Sequence, residues 1–237
     1  MNENHYQVLL TFIAKFGVVH ERHLAIILPE LFKNKSILKK MVKDTYVNEH
    51  KIQLAIGSYY TLGSLGAKFM ESKEVKALNF NTLNHDMLLL DLYFDLLAKN
   101  PDLEILSERE LKVGMGIKVG DKKKVPDLLM VNINGQQTAI ELEITEKSHA
   151  RLIEIINNYI VDTTLHQIHY FVKSNTLGKK LLELAGYHQK LRVFLLDKND
   201  TVLAYSEIAR LEDTIVAKSA WSFDLDYYLS NPDKYKK

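Results

Sequence analysis

The sequence predicts an α+β protein of two domains: a small helical domain with a β-hairpin over residues 1–73, and a larger mixed-sheet domain with flanking helices over residues 80–237. Three observations predict it. Apolar residues recur at helical spacing in three runs before residue 45, and two short strand-like runs follow. A polar, aperiodic stretch over 71–81 has the character of a linker. Beyond it, apolar strands alternate with amphipathic helices, the pattern of a sheet covered by helices.

In the first domain, Val8, Leu9, Phe12, Ile13 and Phe16 share one helical face, and Gly17 is placed to end that helix. A second helix, His20 to Leu28, turns Leu24, Ile27 and Leu28 inward and stops at Pro29. The third, Lys35 to Lys43, puts Ile37, Leu38, Met41 and Val42 on one side and Lys35, Lys39, Lys40 and Lys43 on the other. Strand-like runs over Tyr46–Ile56 and Ser58–Leu62 meet at Gly57, and Leu65 to Met70 is a short fourth helix. Helix, helix, basic helix and hairpin is the order of a winged helix-turn-helix, whose third helix lies in the major groove with lysines on phosphates. The same lysines also suit a solvated face, and winged helices bind protein as well as DNA. Residues 1–73 hold ten Lys or Arg against six Asp or Glu, so positive charge is concentrated here although the whole chain carries only +1.

The second domain opens with an amphipathic helix, Leu83 to Lys99, followed by strand-like runs at Leu103–Leu106 and Glu110–Val113. Two apolar strands, Asp127–Ile133 and Gln137–Ile144, then flank Asn134-Gly135, a strong hairpin signal. Because strand side chains alternate, Glu141 and Glu143 share a face, and the turn returns Asp127 beside them. Converging carboxylates repel unless a cation joins them, and hard oxygen donors suit Mg2+ or Mn2+. The Ile140-Glu141-Leu142-Glu143-Ile144 alternation is equally that of a half-exposed strand with ordinary acids. With a two-residue turn Asp127 falls opposite Leu142, on the wrong face, so an odd loop or a bulge is expected, setting Asp127 opposite Glu143. A helix over Ser148–Val161, a strand over His169–Lys173, a helix over Leu177–Leu184 and a strand over Leu191–Asp197 follow.

Pro126-Asp127, a short hairpin and Glu141-Leu142-Glu143 resemble the signature of the PD-(D/E)XK, or restriction-endonuclease-like, superfamily in its ExE form, which lacks the usual lysine. The resemblance implies that Asp127 and Glu141 hold a metal while Glu143 orients or deprotonates water. A winged helix joined to such a core, with Tyr59-Tyr60-Thr61-Leu62-Gly63 before Gly66, Leu83-Asn84-His85, Pro126-Asp127 and Glu141-Leu142-Glu143, is similar to the replication-relaxation family and the MobC-type relaxases of mobilisable plasmids, over about residues 5 to 200. It implies a strand-nicking enzyme at a plasmid transfer origin, using Mg2+ or Mn2+ and working with an accessory mobilisation protein and a coupling protein. No closely spaced histidine triad of the tyrosine relaxases is present.

Further candidates are less specific. His85 suits a proton-transfer or phosphate-contacting role, or a local cap. Glu110, or Glu108, is placed to complete the metal site, and Lys147 to meet the scissile phosphate or solvent. Lys123 and Lys124 suit a DNA backbone near the site or a solvated loop. Tyr159 fits the core, a phosphate contact or a nucleophile. The tail from Trp221 onward is aromatic. Without cysteine, disulfides, thiolate metal sites and zinc fingers are excluded, and a reducing compartment is expected. No signal-like N-terminus or spanning apolar run is found, so the expectation is a cytoplasmic protein away from membranes. Beside the relaxase reading stand a non-catalytic plasmid replication or transcription regulator and a nuclease subunit of a transposition or defence system.

Overall fold

The computed structural model describes residues 3–33, 35–52, 57–71, 78–117, 124–197, 204–208 and 221–222. The fold is α+β, with helices and two separate sheets. Two compact units divide within one helix, the first running to Asp91 and the second from Leu92 to Leu225.

The first unit begins with α1 (Glu3–Phe16), in which Leu9, Leu10 and Ile13 are fully buried. Gly17, at φ +86, ends it by donating its N–H to the Ile13 carbonyl at 2.7 Å. A two-residue strand β1 (Val19–His20) leads into α2 (Glu21–Ile27), where the His20 ring caps the helix by accepting from the Arg22 N–H. Pro29, expected only to stop that helix, also opens α3 (Pro29–Lys33), because proline suits a first helical position. In α4 (Lys35–Lys43) Leu38 and Met41 are buried while Lys35, Lys39, Lys40 and Lys43 are exposed. Strands β2 (Val47–Lys51) and β3 (Ser58–Leu62) pair antiparallel, and β1 joins the far side of β3. Residues 53–56, expected to continue the first of these strands, lie outside the described residues. The short helix α5 (Ser64–Phe69) packs so closely that a Cβ on Gly63 would meet the Thr45 carbonyl oxygen at 2.1 Å, and one on Gly66 the Tyr46 oxygen at 2.0 Å. Space alone therefore accounts for both glycines of the Leu62-Gly63-Ser64-Leu65-Gly66 segment.

Helix α6 (Leu83–Lys99) crosses the division at Asp91. In the second unit, β4 (Glu104–Ser107) is followed by α7 (Glu108–Gly114), where a strand was expected over Glu110–Val113. The reason is a capping box: Ser107 accepts from the Glu110 N–H, and the Glu110 carboxylate accepts from the Ser107 N–H at 2.8 Å. Strands β5 (Leu128–Val131), β6 (Gln137–Glu143), β7 (Leu165–Val172) and β8 (Leu191–Leu196) alternate with α8 (His149–Val161) and α9 (Asn175–Leu184). Two further strands, β9 (Ala204–Glu207) and β10 (Trp221–Ser222), were not expected from the sequence. The sheet runs β10-β9-β8-β7-β6-β5-β4, with β6, β7 and β8 parallel and the outer pairs antiparallel.

Between β5 and β6 the loop is odd, as expected. Gly135 donates to the Asn132 carbonyl at 2.8 Å and adopts φ +75, while Asn132 Oδ1 accepts from the N–H groups of Asn134 and Gln136. Asn132 then bonds across to Gln136 at 3.1 Å, leaving three residues in the turn. Leu128 accordingly pairs with Ile140. One step further, Asp127 lies opposite Glu141 rather than opposite Glu143, which corrects the expected partner.

One face of this sheet packs beneath α7, α8 and α9 through Leu111, Leu129, Ala139, Leu152, Ile156, Ile168, Tyr170, Val172, Leu181 and Val193. The other face buries Leu128, Ile140, Leu142 and Phe171. With partners on both edges and buried residues on both faces, β6 is not the half-exposed strand its alternation also allowed.

Candidate functional site

Side chains at 139, 141 and 143 alternate onto the face that carries α8 and α9. This places Glu141 and Glu143 at the carboxyl end of β6, an end shared with parallel β7 and β8, where open α/β sheets bind ligands. Asp127 arrives at the same place from the start of β5. All three carboxylates are buried: Asp127 is 9% exposed, Glu141 1% and Glu143 2%.

Each has protein partners. The Leu142 N–H donates to Asp127 Oδ2 at 2.8 Å. Tyr159, on the buried face of α8, donates its hydroxyl to Glu141 Oε1 at 2.5 Å. Lys124 Nζ lies 3.1 Å from both Glu141 oxygens. Lys147, four residues beyond Glu143, donates to the Glu143 carboxylate. Tyr170 on β7 stands beside Glu141 in register and is 1% exposed, and among the described residues its hydroxyl has no hydrogen-bond partner.

Charge follows from this packing. Asp127, Glu141 and Glu143 against Lys124 and Lys147 leave the five groups one negative charge in excess when all are ionised. Burial, then the neighbouring Asp127 carboxylate, pushes the Glu141 carboxyl up to about 7, while Lys124 and the Tyr159 hydroxyl pull the other way. Glu143 is raised too, by burial first, with Lys147 opposing. Burial pulls the Lys124 ammonium down, but Glu141 and Asp127 outweigh it and its pKa is raised. Both tyrosine hydroxyls are held strongly protonated by burial and the same carboxylates.

The sequence candidates do not all meet. Asp127, Glu141, Glu143 and Lys147 come together. Lys124, expected on a DNA backbone or in a solvated loop, has its ammonium inside the carboxylate cluster instead. Glu110 does not join the cluster, because its carboxylate caps the N-terminus of its own helix; Glu108 pairs with Lys112 at 2.7 Å, though its N–H bonds the Asp127 carbonyl. His85 Nδ1 lies 3.4 Å from Asp86 Oδ1. Lys123 lies outside the described residues, as does the tail beyond Ser222. His169 is turned to the opposite face beside Ile140, and burial lowers its imidazole to about 4, so it is neutral and takes no part. On α4, Lys35 Nζ donates to Glu21 Oε1 at 2.5 Å; Lys39, Lys40 and Lys43 are exposed with no carboxylate paired to them among the described residues.

For a metal, the fit is to two carboxylates rather than three. Asp127 and Glu141 are hard oxygen donors opposed across a strand pair, while Glu143 is engaged by Lys147. Among the described residues no group of three or more His, Cys, Asp or Glu is arranged as a ligand set. Tyr159 and Tyr170 complete the site, and Tyr170 was not among the sequence candidates; only the pairing of β6 with β7 reveals it.

No family model and no curated protein matches the chain. It is similar to the crystal structure of the YaeQ protein from Xanthomonas axonopodis pv. citri over 50% of this chain and 71% of that one, at 14% identity and a TM-score of 0.28, a likeness that carries no argument. No helix among the described residues is long and apolar enough to cross a membrane.

Proposed function

We propose that the chain is a metal-dependent DNA endonuclease that nicks one strand at a plasmid transfer origin, a winged helix-turn-helix joined to a restriction-endonuclease-like core. The observation that carries this reading is Asp127 set against Glu141 at the carboxyl end of β6, buried with Glu143 in a group that is one positive charge short of neutral. A carboxylate pair of this kind, in so little water, is expensive to keep unless a cation or proton completes it. Asp127 and Glu141 would hold Mg2+ or Mn2+, which would supply Lewis-acid polarisation of a phosphate and activation of water. Glu143, two residues further along the same face, would orient the attacking water, with Lys147 fixing its carboxylate. Lys39, Lys40 and Lys43 would meet phosphates from the exposed side of α4. Transfer-origin DNA, an accessory mobilisation protein and a coupling protein are the partners this reading entails.

A second reading has its own support. Lys124 and Lys147 already neutralise two of the three carboxylates, as a non-catalytic regulator with a nuclease-like dimerisation module would require. Supercoiled plasmid bearing the DNA that neighbours this gene, incubated with Mn2+ or with chelator, separates the two. Open circles with Mn2+ alone support the endonuclease; intact supercoils in both, with DNA binding retained, support the regulator.

A further inference from the structure

We propose that Lys124 is the resident counter-ion of the carboxylate site, and that a divalent cation binds Glu141 only in competition with it. The inference rests on the endonuclease reading and adds a residue to it that the motif does not contain.

The Lys124 side chain is one quarter exposed, and its Nζ is equidistant, at 3.1 Å, from Oε1 and Oε2 of Glu141. An ammonium astride a carboxylate stands where a chelated hard cation would stand, and two cations there repel. Lysine suits such a place because its charge is a point on a flexible stem, able to leave without a backbone change. The other partner of Glu141 poses no such conflict, since the Tyr159 hydroxyl is neutral and donates to Oε1.

Tyr170 supplies a second observation at the site. Tyr170 pairs with Glu141 in register, and among the described residues its buried hydroxyl has no hydrogen-bond partner, a situation native proteins rarely leave unrelieved. A hydrated cation on Asp127 and Glu141 brings oxygen atoms that the ammonium does not.

Calorimetric titration of Mn2+ into the metal-stripped full chain tests this. Lys124→Gln should bind Mn2+ about tenfold more tightly than the parent, since it removes the competing charge. Lys124→Arg keeps the charge, holds Glu141 through two N–H groups, and should bind several-fold more weakly. The arginine variant also preserves charge balance, so it decides the matter even if the glutamine variant does not fold. Parent binding with no gain in Lys124→Gln, or undiminished binding in Lys124→Arg, overturns the competition while leaving the metal site standing. Failure of the parent and both variants to bind Mn2+ overturns the metal site and the competition together.

Discussion

Because burial and Asp127 raise the Glu141 carboxyl to about 7, the native protein keeps a proton there that the unfolded chain releases at an ordinary carboxylate pH. Between those two values the native state binds more protons than the unfolded state, so stability must fall as pH rises. Glu143 acts in the same direction. With chelator present, the urea midpoint of the second unit should therefore decline from about pH 4.5 to pH 7, and Glu141→Gln should remove most of that slope; a parent midpoint flat across the window would contradict the assignment. Tyr159→Phe keeps the ring in the core but leaves Glu141 without its hydroxyl donor, at a cost of ~1–2 kcal/mol read from the same denaturation curves. At this scale the three carboxylates were legible because two of them sit two residues apart in one strand and the third precedes a recognisable turn. Lys124 was not: its stem carries the charge several ångströms from its backbone, so its place three residues before Asp127 suggested a DNA backbone or a solvated loop rather than the cluster. Tyr170 meets Glu141 only through pairing of strands separated by a helix.

Elements were most legible where local chemistry and periodicity agreed. Leu38 and Met41 inward with lysines outward leave α4 little alternative, and the apolar runs of β5 through β8 were located to within a few residues. At Glu110–Val113 the run looks like a strand, but Ser107 and Glu110, three residues apart, form a capping signal that starts a helix. Glu110→Ala should cost about 1 kcal/mol by unmaking that cap, and should leave Mn2+ affinity unchanged, in contrast to Asp127→Asn. Asn134-Gly135 marked the turn, and its odd length is closed by the Asn132 side chain, which accepts two N–H groups. Gly135 adopts φ +75 with nothing near its missing Cβ. Gly135→Ala should thus lose about 1 kcal/mol from backbone strain alone, checked by thermal or urea unfolding, with the pairing of Leu128 and Ile140 preserved.

For the whole molecule, the division into two units predicts that binding and chemistry can be lost separately. Reversing Lys39 and Lys43 to glutamate should weaken DNA affinity across sequences and flatten its dependence on salt, measured by fluorescence anisotropy at several ionic strengths. Asp127→Asn should abolish Mn2+-dependent nicking while leaving that affinity and its salt slope in place. If it nicks as fast as the parent, Asp127 is not a metal ligand and the regulator reading stands. Strands β9 and β10 were not visible in the sequence, since each is too short to show a period.

The hydrogen bond from the Leu142 N–H to Asp127 gives the protein a built-in observable. Backbone amides bonded to an ionised carboxylate differ in chemical shift and in solvent-exchange rate from those bonded to a carbonyl, and this one lies between Glu141 and Glu143 in the chain. In a nitrogen-15 correlation spectrum its cross-peak reports on the Asp127 carboxylate directly, with no probe attached and no substrate added. A titration with Mg2+, which is diamagnetic, can follow that single resonance and reveal whether Asp127 releases the strand when it takes up an ion.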